Sequence, residues 1–264
     1  MEEVESESKF FWKIILHIII LPITLFLVII GKKEFKELFE PIRLFFEFIF
    51  QAKFTLALII INSVIFIWSA FWNESTIDLL MSYPSDLLSS RAYTIITSGF
   101  MHASWEHLLG NMLALFIFGR VVERKLGAGK TSLVYFGALI ISGVFSSVID
   151  LLSGSNIPGL GASGAIMGLV AAAILLNPFY FTYELIVPLP IMLVGWITIY
   201  ADITGILNPV EDGIGHFAHL GGFLSITLLL FLLSREDKQT LKKGFYINIF
   251  SLIFFSIIYF LFIG

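Results

Sequence analysis

Cysteine is absent from this 264-residue chain, which excludes disulfides, a thiol nucleophile and any thiolate metal site. Charged residues are also scarce, at 14% of the chain against 58% hydrophobic residues, and 28 residues are phenylalanine. No ordinary soluble domain would stay in solution with that composition. The formal net charge is only −4, and no basic stripe with interleaved aromatic residues indicates nucleic-acid binding. The composition therefore predicts a protein of the lipid bilayer.

Apolar runs recur along the whole chain, and a hydrocarbon core about 30 Å thick takes roughly 20 such residues per helix. The eight candidate runs lie near 11–30, 54–72, 103–121, 131–152, 162–177, 185–205, 215–233 and 245–263. We find no internal repeat that would favour a duplicated transporter. The first run lacks a small-residue cleavage site, which favours a retained segment over a removable signal peptide. We predict an all-α, multi-pass integral membrane protein of the cell (plasma) membrane.

Lysine and arginine are unevenly distributed among the connections, and cytoplasmic loops are the ones that collect them. They concentrate in 31–53, 120–130 and 234–244, whereas 73–102 and 205–214 carry mainly acidic residues. The acidic connections should therefore face outward, and eight spans would put both termini outside. If the first run only lies on the surface, the N-terminus is inside. The mixed stretch 35–50 is either an interfacial helix or a simple connector.

Polar residues within apolar runs are costly, and they point to a functional site. His107 and Asn111 are four residues apart, so they share one face of a helix. Ser163 follows Gly161, which permits unusual backbone angles, and begins a run that ends before Pro178. That run is about 22 Å long as a helix, too short to cross alone. Ser163 should therefore lie below the outer surface, where free amides at a helix start favour an anion.

His219 opens the seventh run on the same side, among small residues that allow membrane helices to approach closely. Gly215, Ala218 and Gly222 should face Gly164 and Gly168, which would bring His219 within reach of Ser163. A serine hydroxyl needs a base to become a nucleophile, and histidine is the usual base near neutral pH. The developing oxyanion needs donors. The candidate donors are the backbone N–H of Ser163, the amide of Asn111 and the imidazole of His107.

Other polar residues in these runs have plainer explanations. His216 lies three residues before His219, but its neighbours fit a catalytic pattern less well. His102 more simply holds the outer loop than touches a substrate. Asp150 and Asp202 lie near the outer ends of their runs, where ordinary capping or hydrogen bonding explains a carboxylate, and we assign them no catalytic role.

The residues quoted above resemble the rhomboid intramembrane proteases over 54–233. The resemblance is carried by His102, by the HxxxN pattern at 107–111 (HLLGN), by GxSG at 161–164 (GASG), and by Ala218–His219. The likeness implies a six-helix core with one additional hydrophobic segment at each end. It also implies a Ser163–His219 dyad without a carboxylate, and an oxyanion hole that uses His107 and Asn111. Three regions are expected. They are an N-terminal hydrophobic segment with an interfacial stretch (1–53), the six-span catalytic core (54–233), and a cytoplasmic linker with a C-terminal transmembrane helix (234–264).

Two positions depart from that family's pattern. Tyr93–Thr94 stands where the family usually has Trp-Arg in the first outer loop, with Arg91 nearby. Met167 stands four residues after the serine, where an aromatic residue often packs on the histidine. A thioether can also pack against an imidazole ring.

The resemblance implies a serine endopeptidase that cleaves transmembrane segments of other proteins near the outer face, without cofactor or metal. Spacings for a zinc protease (HExxH) and for an aspartyl protease are absent from the sequence. A non-catalytic rhomboid-like protein that binds membrane clients is the main alternative, and a small-solute transporter or channel is a third.

Overall fold

The computed structural model describes residues 7–182, 188–209 and 213–262. The first apolar run is bent in the structure. It consists of α1 (Glu7–Ile19) and α2 (Leu21–Ile29), whose axes differ by 51°. Pro22 lies in the first turn of α2, where its missing N–H costs nothing but its ring cannot continue the preceding helix. The predicted segment 11–30 is thus helical but broken.

The stretch that the sequence left open between helix and connector is helical. A 3₁₀ turn (Phe35–Phe39) leads into α3 (Glu40–Ile49), and α4 (Lys53–Ser69) follows after a bend of 91°. Arg43 pairs with Glu40 and Glu47 along the exposed side of α3. Glu123, from further along the chain, accepts hydrogen bonds from the backbone N–H groups of Phe54 and Thr55, and so satisfies the open N-terminus of α4.

The connection 73–102, which is predicted to face outward, folds into short helices; it is called the first outer connection below. These are α5 (Glu74–Leu80), a 3₁₀ turn (Pro84–Leu88) and α6 (Thr94–Ser98). Asn73 caps α5 by accepting from the N–H of Thr76 at 2.8 Å, which is the interaction that makes asparagine a preferred N-cap.

The next helical stretch runs from 105 to 152 but is not one straight helix. α7 (Trp105–Ala114) continues through a π turn (Leu115–Gly119) into α8 (Arg120–Leu152). Gly127 has φ 78° and ψ 161°. These values lie outside the helical region, and glycine tolerates them because it has no Cβ. The break divides the stretch into two helices, in agreement with the separate runs predicted near 103–121 and 131–152.

The described residues of the second half of the chain form four further helices and one antiparallel strand pair. In chain order they are α9 (Ser163–Leu176), β1 (Phe181–Thr182), β2 (Leu189–Pro190), α10 (Ile191–Leu207), α11 (His216–Leu229), a 3₁₀ turn (Leu230–Leu232) and α12 (Arg235–Phe262). β1 and β2 pair antiparallel. They are the only strands in the described part of the chain, so the predicted all-α class is confirmed.

Helix α9 is the centre of the molecule. All of its residues from Gly164 to Ile174 are buried, and α8 and α11 pack closely on it. A Cβ at Gly168 would overlap the side chain of Ala138 in α8, and one at Gly222 would overlap the Gly164 carbonyl. Small residues therefore set the distances between these helices, as in other membrane helix bundles.

Helix α12 closes the opposite end of α9. A Cβ at Gly244 would overlap the backbone of Leu175. Asn248 donates to the Ile174 carbonyl and accepts from the indole N–H of Trp196 in α10, both at 2.8 Å. These bonds satisfy a buried amide that would otherwise be costly in an apolar setting.

Two described stretches, Trp105–Leu152 and Arg235–Leu261, are long and apolar enough to cross a bilayer, and the two bent pairs raise that number to as many as four. Ser163–Leu176, Ile191–Leu207 and His216–Leu232 are shorter apolar helices. The chain is therefore an all-α, polytopic membrane protein. The count of eight spans, the orientation and the region boundaries stay predictions.

Candidate active site

Ser163 lies at the first turn of α9, where the loop before it is held in an unusual conformation. Gly161 has φ +121°, a value that side-chain-bearing residues rarely adopt. Its N–H donates to the Ser98 carbonyl at 2.9 Å, which fixes the loop on the end of α6. The first bond into the turn runs from the N–H of Ile166 to the Ala162 carbonyl. The earlier N–H groups of α9 thus have no partner within the helix.

His107 and Asn111 lie beside this loop. Built onto Gly161, a Cβ would come within 2.7 Å of His107 Nε2 and 3.8 Å of Asn111 Nδ2. Ser104 caps α7 by accepting from the backbone N–H of His107 at 3.2 Å. The structure therefore places both predicted oxyanion donors beside Gly161, which lies two residues before Ser163.

The hydrogen bonds of His107 indicate which ring nitrogen carries the proton. Ala103 donates its backbone N–H to Nδ1 at 3.5 Å. A neutral imidazole has one donor and one acceptor nitrogen, so Nε2, which faces the loop, is assigned as the N–H donor. The ring of His102 lies edge-on to that of His107, with centroids 5.0 Å apart. His102 thus supports the ring of His107.

Asn111 is 8% exposed, and its Nδ2 has no hydrogen-bond partner within the described residues. A buried amide nitrogen left unpaired costs about 1–3 kcal/mol, and such groups in native structures call for an explanation. A negatively charged oxygen beside Gly161 would satisfy this nitrogen.

Helices α9 and α11 meet at their backbones next to Ser163. The carbonyl of Ala218 would be 3.6 Å from a Cβ at Gly164, and Gly222 lies against the Gly164 carbonyl. His219 follows Ala218 directly in α11. The predicted base thus lies on a helix whose backbone packs directly against the start of the serine helix.

Asp202 contacts the predicted base. This carboxylate on α10 is 5% exposed, and its Oδ1 lies 2.8 Å from Nδ1 of His219 and 2.9 Å from Nδ1 of His216. The sequence predicts ordinary capping or hydrogen bonding for Asp202, and the structure shows hydrogen bonds to the predicted base and to His216. The dyad without a catalytic carboxylate stays a prediction. The available signal was a carboxylate inside an apolar run, which is a functional candidate by default.

His216 packs on α10 in addition to contacting Asp202. A Cβ at Gly205 would overlap Nε2 of His216, so that ring packs on α10.

The donor atoms of Asp202, His216 and His219 lie within 4.8 Å of one another, and this set is one that a divalent cation can use. The hydrogen bonds account for the short distances without a metal.

The remaining predicted residues fall into place as follows. Asp150 accepts from Ser146 Oγ at 3.1 Å, an ordinary local bond within α8. Met167 is buried in the core one turn after Ser163, and its packing on His219 stays a prediction. Gly215 is the N-cap residue of α11, and among the described atoms a Cβ there would meet only that of Ala218 in the same helix, at 3.6 Å. Its part in the approach to α9 stays a prediction.

The first outer loop is anchored by Arg91 and Tyr93. Arg91 donates to the Asp78 carbonyl at 2.7 Å and contacts the carboxylates of Asp78 and Asp86. The Tyr93 hydroxyl donates to the Leu79 carbonyl at 3.1 Å. A hydrogen bond from Tyr83, with Arg91 beside it, lowers the pKa of Asp78 below its usual value. Local bonds thus anchor the loop where the family's Trp-Arg pair is missing.

That loop in turn holds the segment before Ser163. Ser82 and Gly159 exchange backbone hydrogen bonds of 3.3 and 2.8 Å, and Ser85 donates its N–H to Asn156 at 3.0 Å. The loop that precedes Ser163 (the serine loop, 153–162) is therefore held between the first outer connection and α7.

Comparison with known proteins agrees with the residue pattern. The family model described as "Rhomboid domain" matches residues 89–236, more than half of the chain. The chain is 31% identical over 183 residues to RHOMBOID-like protein 12, mitochondrial, of Arabidopsis thaliana, an alignment that covers 63% of this chain and 54% of that protein.

Two bacterial relatives are also similar. Putative rhomboid protease YdcA of Bacillus subtilis (strain 168) is 29% identical over 162 residues, or 61% of this chain and 77% of that protein. Rhomboid protease GlpG of Photorhabdus laumondii is 28% identical over 191 residues, or 72% of this chain and 64% of that protein. The chain spans about half the length of the two Arabidopsis relatives named mitochondrial RHOMBOID-like protein 12 and chloroplastic Rhomboid-like protein 11.

Proposed function

The chain belongs to the rhomboid family, and from that premise we propose that it is an intramembrane serine endopeptidase. Ser163 is the nucleophile, His219 is the base, and the substrates are transmembrane segments of other proteins, cut near the outer membrane face. The observation that carries this proposal is that His107 Nε2 and the unpaired amide of Asn111 both lie within 4 Å of the Cβ position of Gly161. Gly161 is two residues before the start of the serine helix.

In the first half of the proposed reaction, His219 takes the proton of the Ser163 hydroxyl as Oγ bonds to the peptide carbonyl carbon. The carbonyl oxygen becomes an anion. The Asn111 amide, Nε2–H of His107 and the backbone N–H of Ser163 donate to it. When the intermediate collapses, the carbon–nitrogen bond breaks and the leaving nitrogen takes the proton from His219. The acyl part remains as an ester on Ser163.

In the second half, His219 takes a proton from a water molecule whose oxygen bonds to the ester carbon. The bond between that carbon and Oγ then breaks, and Oγ recovers the proton from His219. The products are a carboxylic acid and an amine, and the enzyme is returned to its starting state. No step requires an oxidant, a reductant or a cofactor.

Cleavage of a helix-destabilised transmembrane substrate in proteoliposomes tests this proposal. Ser163→Ala and His219→Ala should each abolish turnover, because each removes one participant in proton transfer. Asn111→Ala should lower the rate by about 10²–10³ if its amide donates to the oxyanion. Unchanged turnover in Ser163→Ala or His219→Ala would reject the dyad.

Labelling with a serine-directed fluorophosphonate separates a protease from a protein that only binds membrane clients. The wild-type chain should react at Ser163, and Ser163→Ala should not. Absence of labelling in a folded wild-type chain that still binds a transmembrane client would favour the client-binding alternative.

The membrane in which the protein acts is part of the proposal. We place it in the plasma membrane, although relatives include proteins named mitochondrial and chloroplastic. Cell fractionation with a marker for each membrane decides this point, and recovery in an organelle fraction would contradict the assignment.

A further inference from the structure

We infer that Asp202 is a positioning residue for His219, which makes the proposed dyad a carboxylate–histidine–serine arrangement built from three helices. The inference rests on the proposed function, in which His219 is the base. Its observation is the 2.8 Å contact between Asp202 Oδ1 and His219 Nδ1, made by a carboxylate that is 5% exposed.

The contact selects the tautomer of the His219 ring. An ionised carboxylate only accepts hydrogen bonds, and a neutral imidazole carries its proton on one of its two nitrogens. With Asp202 on Nδ1, the proton resides there and the lone pair is on Nε2. Nε2 is then the atom free to take the proton of Ser163. After that transfer the ring is a cation, and the adjacent carboxylate stabilises it.

His216 fixes the carboxylate from a second side. Its Nδ1 lies 2.9 Å from the same oxygen, and its ring packs on the backbone of α10 at Gly205. Asp202 is thereby held between two rings of α11. Second partners of this kind orient a functional histidine and restrict its rotation.

The sequence separates these groups, and only helix packing joins them. Asp202 lies on α10, 14 residues before His216 and 17 before His219. Gly195 keeps α10 against α9, because a Cβ there would contact the side chain of Ile174 at 2.5 Å. Asp150, a carboxylate near the end of α8, bonds to Ser146 of its own helix. It therefore provides a matched control.

The experiment compares Asp202→Asn and Asp202→Glu with Asp150→Asn in the full-length chain in proteoliposomes. An asparagine presents an amide that can donate to Nδ1 and favour the wrong tautomer. We expect Asp202→Asn to lower kcat by about 10²–10⁴ with little change in KM. Asp202→Glu should recover part of that loss, and Asp150→Asn should behave as wild type. A kcat of Asp202→Asn equal to that of Asp150→Asn would overturn the inference.

A spectroscopic measurement keeps the test decisive if Asp202→Asn does not fold. Nitrogen-15 NMR of histidine-labelled wild-type protein, with His219 identified by its loss in His219→Gln, reports the tautomer directly. The inference expects the proton on Nδ1. A neutral His219 protonated on Nε2 in the wild-type protein would overturn it.

Failure of this inference differs from failure of the proposed function. If Asp202 has no positioning role, the wild type cleaves, Ser163→Ala does not, and Asp202→Asn retains turnover. If the function itself is wrong, the folded wild type does not cleave, or Ser163→Ala cleaves as well as the wild type.

Discussion

Gly161 shapes the site through the side chain it lacks. The space that a Cβ would fill is occupied by His107 Nε2, and the residue holds a φ of +121°. Both features bring the loop before Ser163 close to His107 and Asn111, the proposed oxyanion donors. Asn111 shows the complementary behaviour, because its amide nitrogen is buried beside that loop without a partner among the described residues. At this scale the site depends on one missing side chain and one unpaired donor.

Replacing Gly161 with alanine tests that dependence. The Cβ would lie 2.7 Å from His107 Nε2 and would force a positive φ on alanine, a strain of about 1–3 kcal/mol. We expect Gly161→Ala to lower the rate of substrate cleavage by roughly 10², because displacement of catalytic groups by about 1 Å has effects of that size.

Gly159→Ala is the control for this prediction, since a Cβ at Gly159 meets no described atom within 4 Å. It should retain near wild-type turnover and unfolding temperature. Equal activity in Gly161→Ala and Gly159→Ala would show that the loop conformation is not required.

At the scale of the helices, the site depends on how closely α9 and α11 approach. Gly222 lies against the Gly164 carbonyl, and Ala218 lies beside Gly164. The approach is backbone to backbone, so neither helix can yield by rotating a side chain. Because Ser163 and His219 are adjacent to these contacts, the helix spacing also sets the geometry of the proposed nucleophile and base.

Gly222→Ala should therefore destabilise the protein and impair cleavage together. The added methyl group would overlap the Gly164 carbonyl, and overpacking of this kind costs about 1–3 kcal/mol. Thermal unfolding in one detergent would show a lowered transition temperature.

The same substitution at Gly110 should have the opposite effect. Gly110 lies inside α7, and no described atom is within 4 Å of its Cβ position. Alanine should stabilise that helix by roughly 0.5–1 kcal/mol. A stable Gly222→Ala with normal cleavage would disprove the close-approach argument.

At the scale of the whole molecule, the short helices of the connection 73–102 and the long helix α12 support opposite ends of α9. The first outer connection clamps the serine loop through Ser82 and Gly159. At the other end, α12 packs on α9 through Gly244 and Asn248. The central helix is thus supported at both ends, while its own first turn remains available for chemistry.

The absence of cysteine makes the orientation of the molecule directly testable. Lysine and arginine concentrate in 31–53, 120–130 and 234–244, which predicts that these loops are cytoplasmic. A membrane-impermeant maleimide should label Ser90→Cys in intact cells, and Lys238→Cys only after permeabilisation. The wild type should not be labelled, because it has no thiol. The reverse labelling pattern would contradict the predicted orientation.

Much of this protein could be predicted from its sequence because the signals are local. Apolar runs, the proline after Asn177 and the glycines around Ser163 act on the backbone where they stand. The all-α polytopic class is predicted on these grounds, and the structure and the family match confirm it. Spacings such as that of His107 and Asn111 identify a shared helix face, so the candidate residues could be named before the fold was known.

Tertiary structure alone decided how Asp202 relates to His219. The two residues lie on different helices, and no periodicity within either helix encodes the crossing that places Oδ1 on Nδ1. The break at Gly127 and the bend at Pro22, by contrast, follow from the local backbone preferences of glycine and proline. Local sequence determines which residues can take part in chemistry, whereas distances between helices follow from the packing of small residues contributed by several parts of the chain.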